Sequence, residues 1–314
     1  MENLVFCMNA TIPVFMMMLS GMLFKKIHMF DESFVKKLNA FVFSVALPVL
    51  LFEDLSVVDF MAVWDTSFVL YCFFVTLISI LISVAVSYRL KNKSMQGEFV
   101  QASYRSSAAI LGIALIENIY GSSSIAPLMI LASVPLYNIV AVIVLSIMKP
   151  QRGHLSRQLL IQTGKDIMKN PIILGILAGF IWSSLQLPQP VIMQKTLHNI
   201  AILATPLGLM AMGGSFTFQK LGTTLKPALA CTILKLIVFV SIFIPIAVLL
   251  GFTNEKMVAI LIMLGSATTV SSFIMAKNMG HEGNLSSRVV MLTTICSSFT
   301  LTLWLYLLKL FAYI

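Results

Sequence analysis

ATIPVFMMMLSGMLF (residues 10–24) returns as MKNPIILGILAGFIW (168–182), an offset of 158 residues that sets Pro13 on Pro171 and Gly21 on Gly179. At the same offset LNAFVFSVALPVLLF (38–52) lies over TLHNIAILATPLGLM (196–210), with Ala46 on Ala204 and Pro48 on Pro206. One further residue of offset sets Gly121 on Gly280, in ENIYG over AKNMG. Apolar runs resemble one another cheaply, but prolines and glycines kept in register without a gap do not. The chain therefore reads as an internal duplication, and the number of spans in each half decides the fold.

Ten apolar runs are long enough to cross a hydrocarbon core of roughly 30 Å. They are Leu4–Phe24, Leu38–Leu55, Thr66–Tyr88, Phe99–Tyr120, Ile125–Met148, Pro171–Leu187, Val191–Gly213, Pro227–Gly251, Met257–Met279 and Ser286–Ala312. Of the 314 residues 59% are hydrophobic and 11% charged, with a mean hydropathy of +0.96, whereas soluble domains carry about 25% charged residues. The expected class is an all-α integral membrane protein of ten transmembrane helices. Five spans per half make the repeats inverted, because an odd count starts the second unit on the opposite side of the membrane. The units are 1–150 and 171–314, joined by a basic cytoplasmic linker at 151–170, within one membrane domain.

Lysine and arginine orient the chain, since cytoplasmic loops carry the positive excess. Lys25, Lys26, Lys36 and Lys37 follow span one, Arg89, Lys91 and Lys93 follow span three, and Lys149, Arg152, Arg157, Lys165 and Lys169 follow span five. Lys220 and Lys226, then Lys277 and Arg288, continue the alternation, while Glu53, Asp54, Asp59 and Asp65 mark the opposite side. Both termini are expected outside, and the net charge of +9 reads as this topology signal together with attraction to anionic lipid, with no nucleic-acid partner. The first run has its lysines after it, the reverse of a signal peptide. Cys7, Cys72, Cys231 and Cys296 stand singly in apolar segments, a pattern without disulfide or metal-ligand spacing.

Pro48 and Pro206 fall mid-span at matched positions and should each kink a helix. Spans four and nine differ: SSAAILG and GSATTVSS collect small and hydroxylated residues at equivalent depth, near Ser107–Gly112 and Ser266–Ser272. These are expected to be broken helices that cross, because backbone freed inside lipid needs nearby polar partners. Inverted repeats whose broken helices meet at the midplane mark secondary transporters. Helix ends at such a crossing favour an anion. Among charged groups, Arg105 either snorkels to the headgroups or lines a cavity and draws anions in, Glu117 is a cap or a coupling carboxylate, and Lys235 lies deep in span eight without an evident partner.

QASYRSSAAILGIALIENIYG, VPLYNIVAV, PIILGILAG, ATPLGLMAMGG and SSFIMAKNMG, in this order and spacing, resemble the auxin efflux carrier family in its compact bacterial form, over essentially the whole chain. The resemblance implies a mobile transport domain against a support domain, elevator-type alternating access and organic-anion substrates such as carboxylates or dicarboxylates. Carried over by position, with their small polar neighbours, the substrate-binding candidates are Ser106, Ser107, Gly112, Asn138, Thr268, Ser271 and Ser272. Arg105, Glu117 and Lys235 are candidates for anion attraction or coupling. The chain departs from the family pattern at Ser107, where members carry asparagine, and at Ala114 and in span nine, where they carry proline.

The expected function is a secondary transporter of small organic anions in the plasma membrane, a bacterial inner membrane, coupled to protons or sodium or uncoupled. No cofactor or metal is expected, and a homodimer is one assembly option. A sodium-coupled anion symporter and a cation/proton antiporter are the alternatives within this architecture. The antiporter would want carboxylates near the midplane, and no Asp or Glu falls mid-span. A non-transporting receptor or scaffold would need an output domain. An enzyme would need a motif such as His-Glu-x-x-His, which is absent.

Overall fold

The computed structural model describes residues 2–56, 64–108, 115–117, 119–121, 125–149, 164–165, 167–216 and 221–314. Gly112, Ala114, Asn118 and most of the 151–170 linker lie outside the described residues. All regular structure among those described is helical. The elements are α1 (Glu2–Lys26), α2 (Glu32–Phe41), α3 (Leu47–Ser56), α4 (Thr66–Ser87), α5 (Gln96–Tyr104), α6 (Ala126–Ile147) and α7 (Pro171–Ser184). There follow α8 (Val191–Ala201), α9 (Ala204–Ser215), α10 (Leu221–Ile233), α11 (Val240–Leu249), α12 (Asn254–Gly265), α13 (Ser271–Asn278) and α14 (Asn284–Leu310).

Six helical stretches among the described residues are long and apolar enough to cross a membrane: Glu32–Ser56, Thr66–Ser87, Ala126–Ile147, Val191–Ser215, Thr223–Leu249 and Asn284–Leu310. The other four expected spans behave differently for local reasons. The first coincides with α1, whose opening side chains are not described, and the sixth is the 14-residue α7. The fourth and ninth are interrupted, at Arg105–Ser107 and Ser266–Val270.

Both mid-span prolines disturb their helices as their chemistry requires. Proline offers no N–H to the carbonyl four residues earlier, which is Ser44 for Pro48 and Ile202 for Pro206. Val42–Ala46 is accordingly wound as a π-helix between α2 and α3, and the chain turns at Ile202–Leu203 between α8 and α9. A second π segment, Leu234–Phe239, joins α10 to α11 and carries Lys235.

Most of the tight helix packing falls into two groups, which α1 joins by packing on α14 as well. In one, α3 lies on α7 and α8, and α9 lies on α1 and α2. In the other, α4 packs on α5 and α6, and α14 packs on α10, α12 and α13. The closest approaches in the first group involve glycine. A Cβ at Gly21 would lie 2.1 Å from the Met210 carbonyl oxygen, and one at Gly179 3.1 Å from that of Phe52. Gly21 with Gly179 and Phe52 with Met210 are both pairs at the 158-residue offset, so α1 meets α9 as α7 meets α3.

Candidate functional site

The interruptions of the fourth and ninth spans face each other and share hydrogen bonds. After Tyr104 the backbone goes extended at Arg105 (φ −70, ψ 135), and after Gly265 it does so at Ser266 (φ −76, ψ 163). The Ser107 N–H then donates to the Ala267 carbonyl at 3.0 Å. Thr268 Oγ1 donates to the Ala102 carbonyl at 2.8 Å, and Gln101 Nε2 to the Ser272 carbonyl at 2.7 Å. The Thr268 N–H is received by Thr293 Oγ1 at 3.0 Å. Each break thus supplies partners for backbone groups that the other leaves outside a helix, as buried peptide groups require.

The N–H groups opening α13 are not free. Those of Ser272 and Phe273 donate to the carbonyls of Thr269 and Val270, and that of Ile274 also goes to Val270. The positive character at this point comes instead from two side chains. Arg105 is 2% exposed, and its guanidinium runs into the protein. Nη2 donates to Asn138 Oδ1 at 2.8 Å and to Ser271 Oγ at 2.6 Å, while Nη1 meets Met275 Sδ at 2.8 Å. Its Nε has no hydrogen-bond partner. Asn138 is oriented in turn by donating from Nδ2 to the Val134 carbonyl at 2.9 Å.

Lys235 is fully buried, and its Nζ donates to Ser106 Oγ at 2.7 Å. The Ser106 hydroxyl in turn donates a hydrogen bond to the Met263 carbonyl, which also accepts one from Tyr137 Oη at 3.2 Å. Two cations therefore stand at the break with hydroxyl, amide and thioether partners and, among the described residues, no carboxylate in hydrogen-bond contact. Burying a charge is costly unless it is compensated.

A cavity of about 70 Å³ opens beside this cluster. Arg105, Ser106, Ser107, Asn138 and Ser271 line one side, with Tyr137 and Val134 from α6. The other side belongs to the first packing group: Leu47, Leu50, Leu51 and Asp54 from α3, and Thr205 from α9. The four α3 residues are spaced i, i+3, i+4, i+7, one stripe of a helix. The cavity thus sits between the two groups, at the breaks.

The candidates named from sequence divide three ways. Ser106, Ser107, Asn138 and Ser271 meet at the cavity with Arg105. Thr268 and Ser272 serve the junction of the two breaks, where Ser272 is buried with its Oγ unpartnered. Glu117 is exposed, and Gly112 lies outside the described residues. Arg105 is buried and lines the cavity.

Sequence reasoning missed three groups. Asp54 read as an acid at an outer span end, because position along a span fixes depth and not the face presented. Met275 carried no polar signal. Glu98, 2% exposed, accepts from the N–H groups of Gly283 and Ser286 at 2.9 Å each and so caps α14, a favourable place for a carboxylate.

No curated protein matches the chain in a sequence comparison. A family model described as membrane transport protein matches residues 6–305, nearly the full length over which the helices, the breaks and the cavity have been described. The chain therefore belongs to the membrane transport protein family, the family of the auxin efflux carriers, and is a multi-pass membrane transporter.

Proposed function

We propose that the protein is a secondary carrier of small organic anions, carboxylates or dicarboxylates, which bind in the cavity at the breaks of spans four and nine. The observation that carries this reading is Arg105: a buried guanidinium at a helix break, facing a cavity, with only neutral groups in hydrogen-bond contact. An anion would supply the missing counter-charge through charge-assisted hydrogen bonds, the strong kind. Ser107, Asn138 and Ser271 add neutral donors and acceptors around it. The fixed guanidinium disfavours the cation/proton antiporter, since a bound cation would be repelled.

The mechanism we infer is elevator-type alternating access on a ten-span inverted repeat. The offset-related glycine contacts of α1 with α9 and α7 with α3 support the repeat. The paired interruptions and their shared hydrogen bonds support crossed helices. The position of the cavity between two packing groups supports movement of one group against the other. The lysine and arginine alternation supports both termini outside, and the resemblance to the compact bacterial form of the family supports a plasma membrane.

Flux of radiolabelled malate and indole-3-acetate in proteoliposomes tests the reading. The wild-type protein is expected to move at least one of them, and Arg105→Gln to abolish the movement while the protein still inserts. Undiminished flux in Arg105→Gln would overturn the site, and failure of every anion tried would overturn the function.

A further inference from the structure

The cavity holds one carboxylate as well as one guanidinium. Asp54 reaches it from α3, two helical turns beyond Leu47, about 10 Å along the axis, and among the described residues it forms no hydrogen bond or ion pair. Its neighbour Glu53 is engaged: His198 Nδ1 of α8 lies 2.9 Å from Glu53 Oε1. The charged and titratable groups around Asp54 can be named element by element. Glu53 shares its helix, Lys195 and His198 lie on α8, and α7 contributes none. Across the cavity stand Arg105 and Tyr137.

We propose that Asp54 is a proton site linked to anion occupancy, ionised when the cavity is empty and protonated when an anion rests on Arg105. The inference rests on the anion-carrier reading and deepens it. In the empty cavity Arg105 and Asp54 carry opposite charges and the lining is neutral overall. An incoming carboxylate would meet a like charge in a confined space, and like charges sharing a site raise the proton affinity of one of them. Uptake of one proton by Asp54 removes one of the negative charges that then share the cavity. It also turns Asp54 from an acceptor into a group that donates its O–H to an anion oxygen. By linkage the anion strengthens proton binding and the proton strengthens anion binding by the same factor.

Acidification favours the anion-bound form and alkali weakens it, by up to about tenfold per pH unit above the apparent pKa of Asp54 in the empty protein. Calorimetric titration of the purified, full-length protein with malate tests this between about pH 6 and 8. There malate stays doubly ionised, and buffers of different ionisation enthalpy report proton uptake. The wild type is expected to take up close to one proton per malate at the alkaline end and to bind more weakly as pH rises. Asp54→Asn should bind malate with an affinity flat in pH and no proton uptake linked to the site, and Asp54→Glu should restore the wild-type slope. Malate binding without proton uptake in the wild type, or unchanged uptake in Asp54→Asn, overturns this inference and leaves the anion carrier standing. If neither malate nor indole-3-acetate binds at any pH, the carrier reading fails and takes this inference with it.

Discussion

The contacts of α1 with α9 and the junction of the two breaks both bring backbone from distant parts of the chain close together, by opposite means. At the first, glycine removes the side chain, and Gly21 and Gly213 are the closest points, where a Cβ would lie 2.1 Å from the Met210 and 2.0 Å from the Met18 carbonyl oxygen. At the second, helices stop, and Ser, Thr and Gln pair the peptide groups left over. The first is an apolar fit that tolerates no added atom. The second is a polar fit that leaves room for a cavity and two buried cations. Close backbone contact is concentrated in one region and buried polarity in the other.

The sharpest way to break that comparison is to add an atom where glycine is required. Gly21→Ala should force α1 and α9 apart at a cost of about 1–3 kcal/mol, the usual range for overpacking. The expected outcome is reduced yield and a lower thermal-aggregation midpoint in detergent. Gly179→Ala, whose Cβ would be 3.1 Å from the Phe52 carbonyl oxygen, should cost less, because a shift of a few tenths of an ångström accommodates it. Equal losses in the two variants would mean that the approach at Gly21 is no tighter than its repeat mate.

At the polar region the expected effect falls on binding and not on folding. Arg105→Gln retains a hydrogen-bonding side chain for Asn138 and Ser271 but removes the charge. A charge-assisted hydrogen bond contributes about 1.5–3 kcal/mol, so malate affinity should fall roughly 10- to 100-fold with the midpoint held or raised. A variant that unfolds instead would make Arg105 a structural residue, and the contrast between the two regions would collapse.

Much of this contrast could be read from the sequence, and what could not has a common physical cause. The prolines at 48 and 206 announce their disturbances because a missing N–H acts on a residue four positions back, a purely local effect. The breaks at Arg105–Ser107 and Ser266–Val270 are legible as clusters of small hydroxylated residues, since freed peptide groups need such partners whether or not proline is present. The rotation of each helix about its axis is another matter. Asp54 differs from Glu53 by one position, about 100° around the helix, and that difference sends one to the cavity and the other to His198. Only the packing of α3 between α7, α8 and the breaks decides it. For the same reason Lys235 had no visible partner: Ser106 is 129 residues away and becomes its neighbour only after both spans are distorted.

Lys235 offers a finer test of the polar region. Its ammonium is buried against a single hydroxyl, and taking a charge out of water without a counter-charge costs several kcal/mol, a cost that an apolar side chain of similar length does not carry. Lys235→Met should therefore leave the aggregation midpoint unchanged or raise it, opposite in sign to Gly21→Ala. Leaving Ser106 without its donor partner offsets part of the gain. A marked fall in the midpoint would show that the ammonium holds the break together, and the polar region would then owe its order to charge as well as to hydroxyl and amide pairing.

The smallest effect belongs to a contact outside both regions, which calibrates them. Asp65 caps α4, accepting from the Phe68 N–H at 3.0 Å, and pairs with Lys256 at the start of α12. The Lys256 ammonium, then the Ser67 hydroxyl and the Phe68 N–H, hold its carboxyl well below the usual carboxylate range. A carboxyl with a lowered folded-state pKa contributes stability that is present above its unfolded value, near 4, and is lost as pH falls through the folded value. The pair is partly exposed, at 36% for Lys256 and 23% for Asp65, so solvent and salt screen it and such pairs contribute about 0–1 kcal/mol. Asp65→Asn should lower the midpoint slightly at neutral pH and low salt, and the difference from wild type should shrink as pH drops below about 4. A penalty as large as that of Gly21→Ala would place structural weight on an exposed ion pair and deny that backbone fit and buried polarity are what hold the two regions in their different states.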